Sequence, residues 1–185
     1  MADIIIKGGT VITMDPERRV ITRGAVAVEK DRIVAVGRNQ QVTKEHKARK
    51  VIDARGKVIM PGLIDAYGNS GTAMIKGIAE HVSGGAWRLL KDFINHRCTS
   101  EDFWHAEGQL VGLERLKFGT TCFAHRLAIA PAGDDISIPE ANMRGIAGVG
   151  LRHVTAVGPP RPPFPATSSV WRKGVWRDAQ VSLED

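Results

Sequence analysis

The chain has only two cysteines, Cys98 and Cys122, and they lack the CxxC spacing of a redox or zinc motif. Two thiols cannot staple 185 residues, so a disulfide framework is excluded and both read as buried or free thiols in a reducing compartment. No apolar run approaches the ~20 residues that a membrane helix needs. Met1-Ala2-Asp3 opens on a carboxylate instead of the basic and then apolar residues of a secretion signal, and the expectation is a cytoplasmic protein without a membrane partner. Aromatic residues are scarce at 5%, yet 43% hydrophobic and 25% charged residues, with 20 glycines and 9 prolines, describe a globular chain of one or two domains. The formal charge of +6 would suit nucleic acid, but lysine and arginine are scattered. Their densest group, Lys44, Lys47, Arg49 and Lys50, is interrupted by Glu45 and His46, which is the pattern of a solvated surface.

Residues 3 to 60 carry short β-branched runs separated by turn residues: Ile4-Ile5-Ile6, Gly8-Gly9, Thr10-Val11-Ile12-Thr13, then Asp15-Pro16. Ala25-Val26-Ala27-Val28 and Ile33-Val34-Ala35-Val36 flank a polar connection of hairpin length, Glu29 to Arg32. Val51-Ile52-Asp53 and Lys57-Val58-Ile59-Met60 repeat the pattern around Arg55-Gly56. So many short strands in so few residues need a neighbour to cover their apolar face.

After Pro61-Gly62 the pattern changes to strands alternating with helices. Leu63-Ile64-Asp65-Ala66 reads as a strand. Thr99 or Ser100 before Glu101 and Asp102 marks a helix start, and Phe103, Ala106, Leu110, Leu113 and Leu116 form its predicted apolar stripe, stopped by Gly119. The strand Thr120 to Ala124 follows. A second helix is expected to open with Pro139 at its first position, to carry Met143 and Ile146 on its face, and to end at Gly148 and Gly150 before the strand Leu151 to Val157. This order predicts a parallel sheet with right-handed crossovers. Gly158-Pro159-Pro160-Arg161-Pro162-Pro163-Phe164-Pro165 is a stiff loop, either a surface connector or part of a functional rim. Trp171 and Trp176, interleaved with Arg172, Lys173 and Arg177, read as packing of a short hairpin, with stacking on a planar ligand as the alternative. Ser182-Leu183-Glu184-Asp185 has the form of a helix cap with no helix behind it.

The stretch from Val51-Ile52-Asp53-Ala54-Arg55-Gly56 through Val58-Ile59-Met60-Pro61-Gly62-Leu63-Ile64-Asp65-Ala66 resembles the junction between the small β domain and the first barrel strand of the amidohydrolase superfamily. Glu29 to Gly37 is similar to that family's N-terminal hairpin, and Leu113 to Cys122 to its helix leading into the second strand; the cytosine-deaminase and triazine-hydrolase type is the nearest subgroup. The resemblance implies an α/β protein: a β-sandwich-like domain over residues 1–60, then an incomplete (β/α) TIM-barrel-like half over residues 61–185. In that family a His-x-His pair ends the first barrel strand and opens a metal site completed from later strands. Side chains at i and i+2 of a strand share a face, so two imidazoles can meet one ion at roughly 2.1 Å. Here the pair falls on Tyr67 and Asn69. A phenol of pKa about 10 and a neutral amide are poor replacements.

His81, His96 and His105 form no ligand spacing and read as surface or satisfied core positions. His125 follows the second strand and is expected to face the pocket mouth, so Tyr67, Asn69 and His125 are the candidate substrate-binding residues, with no catalytic residue, metal ligand or cofactor assigned. Glu80, Asp134, Asp135 and Glu140 are read as solvated. A closed (β/α)8 barrel takes ~250 residues, more than the stretch after Pro61 offers. The expectation is an amidohydrolase-like protein, inactive as an isolated chain, acting as a subunit completed by a second copy or a partner chain that supplies the missing strands. The alternatives are a component of an active hydrolase or deaminase of C–N bonds in a small heterocyclic or amide substrate, and a truncated, non-functional product.

Overall fold

A computed structural model describes residues 1–97, 99–127, 136–157, 165–172 and 175–181. Cys98, Asp134, Asp135, the proline-rich run 158–164, Lys173 and residues 182–185 lie outside the described residues, as do the side chains of His96, Trp171 and Trp176. Among the described residues no helix is long and apolar enough to cross a membrane. The chain divides into two compact units, Met1–Pro61 and Gly62–Asp185.

The first unit is one five-stranded sheet built on β1 (Ala2–Ile12), β2 (Val20–Glu29), β3 (Arg32–Arg38), β4 (Ala48–Asp53) and β5 (Val58–Ile59), with α1 (Asn39–Glu45) before β4. β2 and β3 form the expected hairpin, Val26 opposite Val36. Two expectations change. Gly8-Gly9 does not end a strand: β1 runs through it with a register shift against β2. Gly8 has φ +87°, and a Cβ on Gly9 would come within 2.9 Å of the Ala54 and Lys57 carbonyls, so glycine lets the strand bulge and continue. β4 and β5 do not pair with each other; both lie parallel to β1, at residues 2–7 and 10–11. Helix α1 has a single buried apolar residue, Val42, too weak a period to be read from sequence. That valine joins Ala2, Ile5, Ala25 and Ala27 in the core on one side of the sheet.

The second unit holds a three-stranded parallel sheet in the order β6 (Leu63–Ser70), β7 (Thr120–Leu127), β8 (Arg152–Val157). α2 (Gly84–Arg97) and α3 (Glu101–Lys117) connect the first two strands, and α4 (Ser137–Gly148) lies between the second and third. This is the alternation expected from the sequence. Ser100 caps α3, its Oγ accepting from the Phe103 N–H at 3.3 Å, with Glu101 and Asp102 in the first turn. The buried stripe of α3 differs from the expected one: it is Trp104, Glu107, Gly108, Val111 and Gly112, while Leu113 is exposed. The reason is the partner helix. Gly108 and Gly145 face each other across α3 and α4, and a Cβ on Gly145 would strike the His105 carbonyl oxygen, so small residues set the closest approach. Pro139 is the third residue of α4 instead of the first, still within the turn whose N–H groups have no helical acceptor. α2 opens on Gly84-Gly85, poor helix formers that mask its start; the cap is Ser83, whose Oγ accepts from the Ala86 N–H at 3.3 Å.

Phe123, Ile146, Val111, Leu151 and Ala73 form one core cluster, and Trp104, Leu127, Ile138 and Ala141 a second. Each fully buried large side chain contributes about 1.5–3 kcal/mol. β9 (Ala166–Arg172) and β10 (Val175–Val181) make an antiparallel pair with Trp171 opposite Trp176, the hairpin that the sequence suggested.

Candidate functional site

Register decides which side of the parallel sheet each residue serves. Gly68 aligns with His125 and His125 with Thr155, while Asn69 aligns with Arg126. Neighbours along a strand point to opposite faces. Phe123, His125 and Leu127 therefore enter the buried side under α3 and α4, and Ile64, Tyr67, Asn69, Arg126 and Val154 project from the other side. Tyr67 is 77% exposed and Asn69 is also exposed. Sequence reasoning set His125 beside these two; the structure separates them, because His125 is 3% exposed on the opposite face.

What surrounds His125 is a directed chain of hydrogen bonds. Ser70 Oγ donates to Asn142 Oδ1 at 3.3 Å and, having one hydrogen, accepts from His125 Nδ1 at 2.9 Å. With Nδ1 protonated and the ring neutral, Nε2 accepts from Thr155 Oγ1 at 2.8 Å, and Thr155 in turn accepts from His153 Nδ1 at 2.9 Å. Asn142 Nδ2 ends the chain on the Trp104 carbonyl at 3.3 Å. The His125 ring stacks on Phe123 at 4.4 Å between centroids, and the Arg115 guanidinium lies 3.6 Å over the same phenyl while bonding Asp65 at 3.1 Å. Burial above all, then the charges of His153 and Arg115, push the His125 imidazole down to about 4, with Asp65 opposing. Burial also lowers His153. This histidine ties three strands to α4 as a neutral structural residue.

A cavity of about 340 Å³ opens at the C-terminal ends of β6 and β7, lined by Asn69, Ser70, Thr72, Trp87, Arg88, Lys91, Asn95 and Arg126. Its floor is held by Glu107, a buried carboxylate that accepts from the Gly71 N–H at 2.8 Å, the Ala73 N–H at 2.9 Å and the Met74 N–H at 2.7 Å. Asn95 Nδ2 donates to the Gly71 carbonyl at 2.8 Å. Sequence reasoning missed Glu107; the signal was a carboxylate three residues after Trp104 and four before Val111, on the face that has to be buried. Of the other carboxylates, Glu80 is exposed and Glu140 pairs with Arg144 at 3.5 Å across one helical turn.

No family model matches the chain. It is 36% identical over 127 residues to a 5'-deoxyadenosine deaminase of Methanosarcina mazei, covering 67% of this chain and 28% of that protein. It is 28% identical over 166 residues to a 5-methylthioadenosine/S-adenosylhomocysteine deaminase of Nitratidesulfovibrio vulgaris, covering 88% and 36%. Among solved structures, a zinc-bound atrazine chlorohydrolase of Arthrobacter aurescens superposes with a TM-score of 0.71 at 26% identity over 83% of this chain and 35% of that one. The chain is related to the N-terminal portion of the amidohydrolase superfamily. It spans about a third of the length of these relatives. A zinc-bound adenosine deaminase of Xanthomonas campestris shares the fold at a TM-score of 0.67.

The donor set does not fit an amidohydrolase metal centre. Tyr67 and Asn69 offer a phenol and an amide where two imidazoles would converge, and His125 turns away beneath the sheet. Among the described residues no three His, Cys, Asp or Glu side chains are grouped to hold an ion. Tyr67 and Asn69 share the open side of β6, but only Asn69 lines the cavity.

Proposed function

We propose that this chain is an amidohydrolase-like protein that performs no hydrolysis by itself and acts as a subunit, completed by a second copy or by a partner chain. In this reading residues 1–60 are the small β domain and residues 61–185 a partial barrel. The observation that carries it is the pairing of a phenol and an amide, Tyr67 and Asn69, at the family's metal-binding positions. Ile64 and Val154, 71% and 66% exposed on the same open side as Tyr67, support a partner that covers this face. The names of the relatives favour a second reading, in which the completed assembly releases ammonia from an aminopurine nucleoside with Tyr67 and Asn69 at the pocket wall.

The test combines light scattering, metal analysis and ammonia release from 5'-deoxyadenosine on the purified chain. The expected result is an oligomer, or a monomer that captures a partner carrying parallel strands, with no tightly bound transition metal and no ammonia. A monomer that retains one zinc per chain and deaminates the nucleoside overturns the proposal.

A further inference from the structure

We propose that the cavity at the C-terminal ends of β6 and β7 binds a small hydroxylated oxyanion, a carboxylate or phosphate monoester, held between the Arg88 and Arg126 guanidinium groups. Three cations line the cavity, Arg88, Lys91 and Arg126, and no carboxylate does. Lys91 Nζ is answered by Asp92 at 2.6 Å. Arg88 and Arg126 have no ionic partner among the described residues, so their planar forks are left to an incoming anion. Arg126 stands beside Asn69 in register on the open side of the sheet, and α2 brings Arg88 to the same space.

A second observation points to the hydroxyl. Asn95 is 5% exposed on the cavity wall; its Nδ2 is used by the Gly71 carbonyl, while its Oδ1 is buried with no hydrogen-bond partner among the described residues. An acceptor in that condition costs stability until a donor reaches it. A ligand hydroxyl next to the anionic group supplies one, which a fully deprotonated anion such as sulfate cannot. Glu107 and Asn95 hold the loop after β6 at Gly71, so the floor is formed in advance. The cavity volume of about 340 Å³ suits a molecule of this size. The inference goes beyond the subunit reading and does not rest on it.

The experiment is an NMR titration of the full chain with glycerol 3-phosphate, glycerate and sulfate. The expected result is saturable shifts at Asn69, Arg88, Asn95 and Arg126 with at least one hydroxylated probe, which identifies phosphate or carboxylate as the anion, and weaker binding of sulfate, which has no donor for Asn95. Arg88→Met and Arg126→Met are each expected to weaken binding by at least about tenfold. Both arginines are exposed, so melting should be unchanged; Arg126→Lys, which keeps the charge and loses the fork, is expected to fall between wild type and Arg126→Met. If neither hydroxylated probe saturates, or if Arg126→Met binds as wild type does, the site is refuted.

Discussion

Acidification should destabilise the second unit through one imidazole. His125 is nearly neutral above its folded value of about 4, whereas in the unfolded chain it titrates at about 6.5. Between these two values the unfolded state binds the extra proton, so stability is fully present above the unfolded value, falls as pH drops through this window and stops falling below the folded value. The limit is about 3 kcal/mol, of which about 2 kcal/mol is lost by about pH 5. Against a typical total of about 5–15 kcal/mol this is large. The assay is urea unfolding of wild type and His125→Gln from about pH 7.5 to about pH 5. Glutamine offers one donor and one acceptor to Ser70 and Thr155 and does not titrate, so carboxylates and His153 cancel in the difference. The wild type should lose about 2 kcal/mol more than the variant over this range. A difference that stays constant with pH, or an imidazole resonance of folded His125 with its midpoint near 6.5, refutes the reasoning.

Three further outcomes are expected. Glu107→Ala strands the Gly71, Ala73 and Met74 N–H groups and should cost about 2–4 kcal/mol in chemical denaturation; Glu107→Gln keeps an oxygen for two of them and should cost less. Gly145→Ala should destabilise by about 1–3 kcal/mol even though alanine favours helix, because its Cβ meets the backbone of α3; a rise in melting temperature contradicts the close helix approach. The double variant Tyr67→His, Asn69→His restores the first two ligands only, and ammonia release from 5'-deoxyadenosine should remain at background; measurable turnover speaks against the need for ligands from elsewhere.

Much of the fold was legible because its signals are local. The Ser100 cap, the Gly119 stop and the β2–β3 hairpin follow from turn and capping chemistry within a few residues. The glycine bulge in β1 and the pairing of β5 were not, since a strand's partner is decided by residues far along the chain. The site divided in the same way. Tyr67 and Asn69 could be placed on β6 by the i, i+2 rule, and their unsuitability as ligands is a matter of side-chain chemistry alone.

By itself, then, the amino-acid order determined the alternation of strand and helix, the family to which this stretch is related and the loss of its first two imidazoles, because each depends on residue type and short spacing. Tertiary structure decided that His125 is buried under the helices, that Glu107 anchors the loop after β6, and that Arg88 and Arg126 share one cavity. These depend on strand register and helix approach, which bring together residues tens of positions apart and which no local pattern encodes.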